Sequence, residues 1–315
     1  MWNYVIPHFT TFLNELELSA SDRSDALGKA DRIARSLFAA YYPDAEFDPR
    51  CYAIVGSYGK DTAARPRTDV DMIFVLPDAQ FSRFNSLATQ KQSALLQEIK
   101  YDLLDRFPTT DVRGDGPVVK VPFDSYEFEV CPVFRLQDGS FLNAHTRNGG
   151  RWGHTHPAAE MNWLRAVDAR SQQKASQLVK MLKAWKRECN VDIRSICLET
   201  LAILFVDQWL NKHQPTLYWH DWMVRDFFNF AHQFSSGGII KPAGIDEWIP
   251  AGEWQTKCVS AYGRALKACE YERADQNALA IDEWQKIFGY QFRTEYRLSP
   301  IASYPAMGLL AGLRS

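Results

Sequence analysis

The stretch from Tyr52 to Leu76 constrains this chain more than any other. A short apolar run, Tyr52-Ala-Ile-Val55, stops at Gly56-Ser57. A polar segment follows, and then Asp69 and Asp71 bracket the start of a second apolar run, Val70 to Leu76, which Pro77 ends. Both runs have the length and bulky, β-branched content of buried strands. In a strand, residues i and i+2 face the same side, roughly 6–7 Å apart along the chain. The spacing predicts that Asp69 and Asp71 present carboxylates to one point while Val70 turns into a core.

Paired carboxylates at such a point suit hard divalent cations, which take oxygen ligands and share them with substrate phosphates. Two metals about 3.5–4 Å apart can stabilise both the attacking and the leaving oxygen of an in-line displacement. Such a pair needs a third carboxylate. The run Tyr126-Glu-Phe-Glu-Val-Cys-Pro132 offers Glu127 and Glu129, alternating with apolar residues, so both acids share one face. Gly56 lets backbone approach a phosphate, and the Ser57 hydroxyl with neighbouring N–H groups can hold phosphate oxygens. A lone D-x-D, or a lone G-S, says little. The ordered set of strand, G-S, D-x-D on an apolar strand and an acid on a later strand implies a nucleotidyltransferase site.

The rest of the chain supplies the setting. Its 315 residues suit one large domain or two packed ones, and the 46% apolar content is that of a globular protein. The net charge of −2 advertises no general affinity for nucleic acid. Six cysteines show no C-x-x-C pair or zinc spacing and read as reduced, buried thiols of a cytoplasmic protein. The first residues lack a secretory signal pattern, and no apolar stretch is long enough to span a membrane. Helical spacing is expected at 4–17, 21–41 and 86–106, with strands at 52–55, 70–76, 118–123 and 126–134. Beyond residue 156 strands are not expected. A helix opening at Pro157 should run to about Glu188, followed by helices at 195–211, 220–234, 254–273 and 276–289, with loop at 235–252 and a packed tail from Ser299. The fold class expected is α/β, or α+β: a core with a small mixed sheet over residues 1–155 and a helical lobe over 156–315, with the active site between them.

The block GSYGKDTAARPRTDVDMIFVL resembles the DNA polymerase β-like nucleotidyltransferases, and more narrowly the bacterial cGAS/DncV-like group that makes cyclic-oligonucleotide signals against phage. The likeness continues in FEVCPVF (128–134), KMLKAWKRE (180–188), SICLETLA (195–202) and DEWQKIFGYQF (282–292). It implies that Gly56 and Ser57 bind the donor triphosphate and that Asp69 and Asp71 bind two Mg²⁺ ions, for which Mn²⁺ can substitute. The group's third acid sits three residues before the proline, which selects Glu129 over Glu127. The group usually has Asp there, one methylene shorter. Lys183 matches a lysine that reaches the triphosphate, and Ser195 a phosphate-contacting serine. The substrates implied are ATP, GTP or pyrimidine NTPs. The partners implied are an effector that binds the cyclic product and regulatory proteins encoded nearby.

Other residues carry less. His154 and His156 lack a third ligand at metal spacing and read as loop histidines. Arg65 and Arg67 flank the motif and serve either steering or structure. Lys60 can approach phosphate, and Asn162 can read a base. No Cys/His cluster matches the DNA-binding zinc module of vertebrate cyclic GMP–AMP synthase, a relative of that group, so direct DNA activation is not supported. Two rival readings remain: a transferase that modifies RNA or protein, and a nucleotide-binding member with little catalysis.

Overall fold

The computed structural model describes residues 4–66, 69–212 and 219–293. In chain order, α1 (Val5–Leu16) and α2 (Ala20–Tyr41) lead. Ser19 caps α2: its Oγ accepts from the Asp22 N–H at 3.1 Å and the Asp22 carboxylate accepts from the Ser19 N–H at 3.1 Å, a capping box. Then come β1 (Tyr52–Ile54), the single turn α3 (Gly56–Gly59), β2 (Val70–Val75), α4 (Asp78–Asn85) and α5 (Lys91–Arg106). Five strands follow: β3 (Arg113–Asp115), β4 (Val118–Pro122), β5 (Glu127–Arg135), β6 (Phe141–His145) and β7 (Arg151–Thr155). The remainder is α6 (Pro157–Ser171), α7 (Lys174–Glu188), α8 (Ser195–Lys212), α9 (His220–Ala231), the short pair β8 (Ile239–Ile240) and β9 (Ile249–Pro250), α10 (Gln255–Arg273) and α11 (Asn277–Phe288).

The chain divides into two compact units. One gathers residues 18–63 and 67–159, the other 1–17, 64–66 and 160–303, so far as these are described. In the first unit the sheet runs β1-β2-β5-β4-β3, and β6 pairs with the C-terminal end of β5 and with β7. Every pairing is antiparallel except β2 with β5. Strand alternation sorts the side chains. Val70, Met72, Phe74, Phe128 and Val130 pack with Ile33 and Leu37 of α2 and with Leu95, Ile99 and Leu103 of α5. Ile73 and Val133 pack in a small cluster with Ala53 and Phe141. Asp71 and Glu129, out of phase with the first set, are thereby turned away from the helix-covered face.

The second unit is helical around one core. α1 belongs here, although the sequence reading kept it with residues 1–155: Phe9 and Phe12 are fully buried against Trp284, Phe288 and Phe292, with ring centroids 4.8–5.2 Å apart.

Local departures from the sequence reading have local causes. The helix expected from Pro157 to Glu188 is two helices. Gln172 and Gln173 take left-handed φ of 53° and 65°, and the Asp168 carboxylate caps α7 by accepting from the Ser176 N–H at 3.0 Å. The helix expected at 86–106 is α5 alone, which starts only after left-handed Gln90; α4 precedes that span and was not expected. Strands β3, β6 and β7 are not apparent in the sequence: β3 has no apolar residue, and Asn143, Gly153 and His154 interrupt the apolar pattern of β6 and β7. The segment 235–252 holds the β8–β9 pair as well as loop. The tail from Ser299 lies outside the described residues. No helix among those described is long and apolar enough to cross a membrane.

Candidate active site

The site starts where β1 ends. The Val55 N–H still donates to the Asp71 carbonyl at 2.9 Å, so the β1–β2 ladder holds up to the turn. Gly56 then takes φ +58° and opens α3, whose carbonyls accept in sequence: Val55 from Gly59 at 3.0 Å and Gly56 from Lys60 at 3.1 Å. The Ser57 carbonyl accepts from Thr62 and Ala63 at 2.9 and 3.0 Å, which folds the loop back on itself. A side chain at position 56 would collide with the carboxylate of Asp71. Glycine is therefore required twice, by backbone conformation and by space.

Asp69 sits immediately before β2 and is exposed, while Asp71 lies within β2 and is half-buried. In the parallel ladder Asp71 stands opposite Glu129. Ligand oxygens of Asp69, Glu127 and Glu129 lie within 4.8 Å of one another. The structure thus brings Glu127 as well as Glu129 to Asp69, whereas the spacing to Pro132 had singled out Glu129. Partial desolvation of its carboxylate, exposed residue though it is, and next the Glu127 carboxylate push the Asp69 pKa up, and Lys120 opposes that rise. The cluster offers carboxylate oxygens only, the donor set of Mg²⁺ or Mn²⁺ and not of a thiolate- or imidazole-seeking metal.

Two cations adjoin these acids, and the sequence reading missed both. Lys120 faces Glu129 across the β4–β5 ladder. Its Nζ lies 3.1 Å from Glu129, 3.2 Å from Asp115 and 3.3 Å from Glu127. The hydrogen bond to Glu129 leads the causes that raise its pKa. Arg113 reaches Glu127 at 3.0 Å.

In the helical unit, Lys183 of α7 pairs with Glu199 of α8 at 2.7 Å, with side chains 12% and 6% exposed. Glu199 was not singled out; an acid inside the apolar run SICLETLAILF was the available signal. Ser195 opens α8, and its Oγ accepts from Lys186 Nζ at 3.1 Å. Burial first, and then Lys183, lower the Lys186 pKa.

The minor candidates fall in place as follows. His154 lies on β7 rather than in a loop, and its Nε2 bonds the Ser140 hydroxyl at 2.7 Å. Asn162 is exposed on α6. The Arg65 backbone is tied down, its N–H donating to Leu16 and its carbonyl accepting from Arg187. Arg67 lies outside the described residues. All six cysteines are free thiols.

Known proteins resemble this chain in sequence and in fold. The chain is 23% identical over 299 residues to a cyclic AMP-AMP-AMP synthase of Acinetobacter, covering 90% of this chain and 84% of the relative. A probable cyclic nucleotide synthase of Bacillus cereus is 20% identical over 273 residues, 75% of this chain and 80% of that one. Among solved structures, Vibrio cholerae DncV cyclic AMP-GMP synthase with a linear intermediate superposes with TM-score 0.71 at 12% identity, covering 92% of this chain and 96% of that one. Escherichia coli CdnC with ATP does so with TM-score 0.67 at 18% identity, over 92% and 98%. These superpositions establish a shared nucleotidyltransferase fold. The sequence profile of the Second Messenger Oligonucleotide or Dinucleotide Synthetase domain matches residues 4–168, just over half of the chain, and the protein belongs to that family of nucleotidyltransferases.

Proposed function

We propose that this protein joins nucleoside triphosphates into a cyclic di- or trinucleotide and releases pyrophosphate at each joining step. The observation that supports this reading is that carboxylate oxygens of Asp69 and Glu129 come together, with Glu127, while Asp71 stands opposite Glu129 in the parallel ladder and against the Gly56 turn. In this reading the three carboxylates hold two Mg²⁺ ions. When bound, the ions neutralise charge on the reacting phosphoryl oxygens and lower the pKa of the attacking hydroxyl. The chain's own residues do the rest. The Gly56 backbone and the Ser57 hydroxyl hold phosphate oxygens. Lys183 supplies a point charge to the donor triphosphate, and Ser195 a hydroxyl. A ribose hydroxyl of one nucleotide attacks the α-phosphorus of the other as the bond to pyrophosphate breaks. Glu129 accepts the hydroxyl proton. A later attack of the same kind closes the ring.

The cyclic product would act through an effector that binds it, in defence against phage. Two features support a cyclic product over a modified macromolecule: both curated relatives are named as cyclic nucleotide synthases, and the chain matches over most of their length.

The test is incubation with α-³²P-labelled NTPs, singly and mixed, with Mg²⁺ or Mn²⁺. A phosphatase-resistant product, resolved by mass spectrometry and lost in Asp69→Asn and Asp71→Asn, is expected. Label found on RNA or on protein instead, or a product that both variants still make at the wild-type rate, would overturn the proposal.

A further inference from the structure

Strand pairing puts Lys120 where it is. Its α-carbon stands directly opposite that of Glu129 in the antiparallel β4–β5 ladder, so the two side chains share a face. The side chain is 20% exposed, and its one ammonium meets three carboxylates at 3.1–3.3 Å. Those acids differ in what else they hold. Glu127 also has Arg113 at 3.0 Å, and Asp115 also has Arg147 at 3.3 Å. Among the described residues, Lys120 is the one cation paired with Glu129.

Glu129 has the most need of it. A glutamate has one more rotatable bond than an aspartate, and more side-chain freedom to lose. It also stands beside Asp71, Asp69 and Glu127, a crowd of like charge. A cross-strand ammonium both anchors the longer side chain and offsets the repulsion.

We infer that Lys120 is a positioning residue for Glu129, holding that carboxylate in the free enzyme and competing with an incoming divalent cation for it, with Asp115 as the seat to which the ammonium withdraws. The inference rests on the reading of Glu129 as a metal ligand. It makes the affinity for free metal a quantity set by the balance of Lys120 between Glu129 and Asp115. Substituting Lys120 or Asp115 should therefore shift that affinity in opposite directions.

The experiment measures Mn²⁺ binding to the full chain without nucleotide, by the electron paramagnetic resonance signal of free Mn²⁺. Lys120→Gln removes one positive charge from a partly exposed site and should tighten binding about tenfold. Lys120→Arg keeps the charge and should stay near wild type. Asp115→Asn removes the alternative seat and should weaken binding. Thermal midpoints show that each variant is folded, and Asp115→Asn keeps the inference testable should Lys120→Gln fail to fold. Unchanged or weaker binding in Lys120→Gln, or tighter binding in Asp115→Asn, overturns the role of Lys120 while leaving the metal site intact. If wild type binds no Mn²⁺, or Asp69→Asn and Asp71→Asn bind it as well as wild type, the metal reading itself fails and this inference fails with it.

Discussion

The α-carbon of Gly56 lies against the carboxylate of Asp71, so the turn that would receive phosphate and the acid that would hold metal are one packed unit. Gly56→Ala should disturb both. The left-handed backbone alone costs a side chain about 1 kcal/mol or more. The new methyl group must also push Asp71 aside. Turnover should fall about a hundredfold, the scale of a one-ångström misplacement. Pyrophosphate release and the thermal midpoint, measured together, check this; a fully active Ala variant would contradict the packing.

Glu127 and Glu129 both reach Asp69, but they differ in charge partners. Lys120 touches both, but Arg113 adds a second cation to Glu127, whereas Glu129 faces Asp71 across the parallel ladder. Glu129→Gln should therefore abolish Mg²⁺-dependent turnover, and Glu127→Gln should lower it only severalfold. The reverse order in a steady-state assay would move the third metal ligand to Glu127.

Lys183 and Glu199 form a buried pair, so losing the lysine harms the fold as well as any triphosphate contact. Breaking such a pair by removing one partner costs on the order of 3–5 kcal/mol. Lys183→Met should lower both stability and activity. The double variant Lys183→Met/Glu199→Leu should regain stability in denaturant titrations yet stay inactive. Recovery of activity along with stability would assign Lys183 a structural role alone.

The helical unit should also report pH. Asp221 of α9 and Glu272 of α10 are buried, and Trp284 Nε1 donates to Glu272 at 2.7 Å. Burial lifts Asp221 to about 6, against Arg225 nearby; burial and then Asp221 lift Glu272 to about 8. Cys269, also buried, faces the pair and stays a neutral thiol. Acids with folded pKa values raised above their unfolded ones favour the fold while protonated. Their contribution is whole below the ordinary carboxylate range and drains away as pH rises through about 6 and then about 8. The thermal midpoint should fall across that window, and Asp221→Asn should flatten the fall. A wild-type midpoint that is level across it would show that the pair does not hold its proton.

What was legible in the sequence was local. The acids at 69 and 71 and the turn at Gly56-Ser57 declare themselves within a few residues, and β2 and β5 carry nearly unbroken apolar alternation. Lys120 was hidden because its role depends on which residue of β5 it meets, and side-chain period alone does not set register between strands. Glu199 was hidden because a helix carries many charges and the pattern does not say which one is buried. The break between α6 and α7 falls at Ser-Gln-Gln-Lys, with no Gly or Pro to mark it; a carboxylate four residues upstream of the left-handed pair makes it.

The mixed pairing of β5 also bears on the order of assembly. β4 and β5 meet through a short connection, while β2 must reach β5 across the whole of α4, α5 and the β3–β4 hairpin. Hairpins close early, and distant parallel pairings late. By that rule Glu129 would stand beside Lys120 before the aspartate-bearing strand pairs. Four acids would then gather around a cation that the chain itself supplies, before any ion from solution is needed.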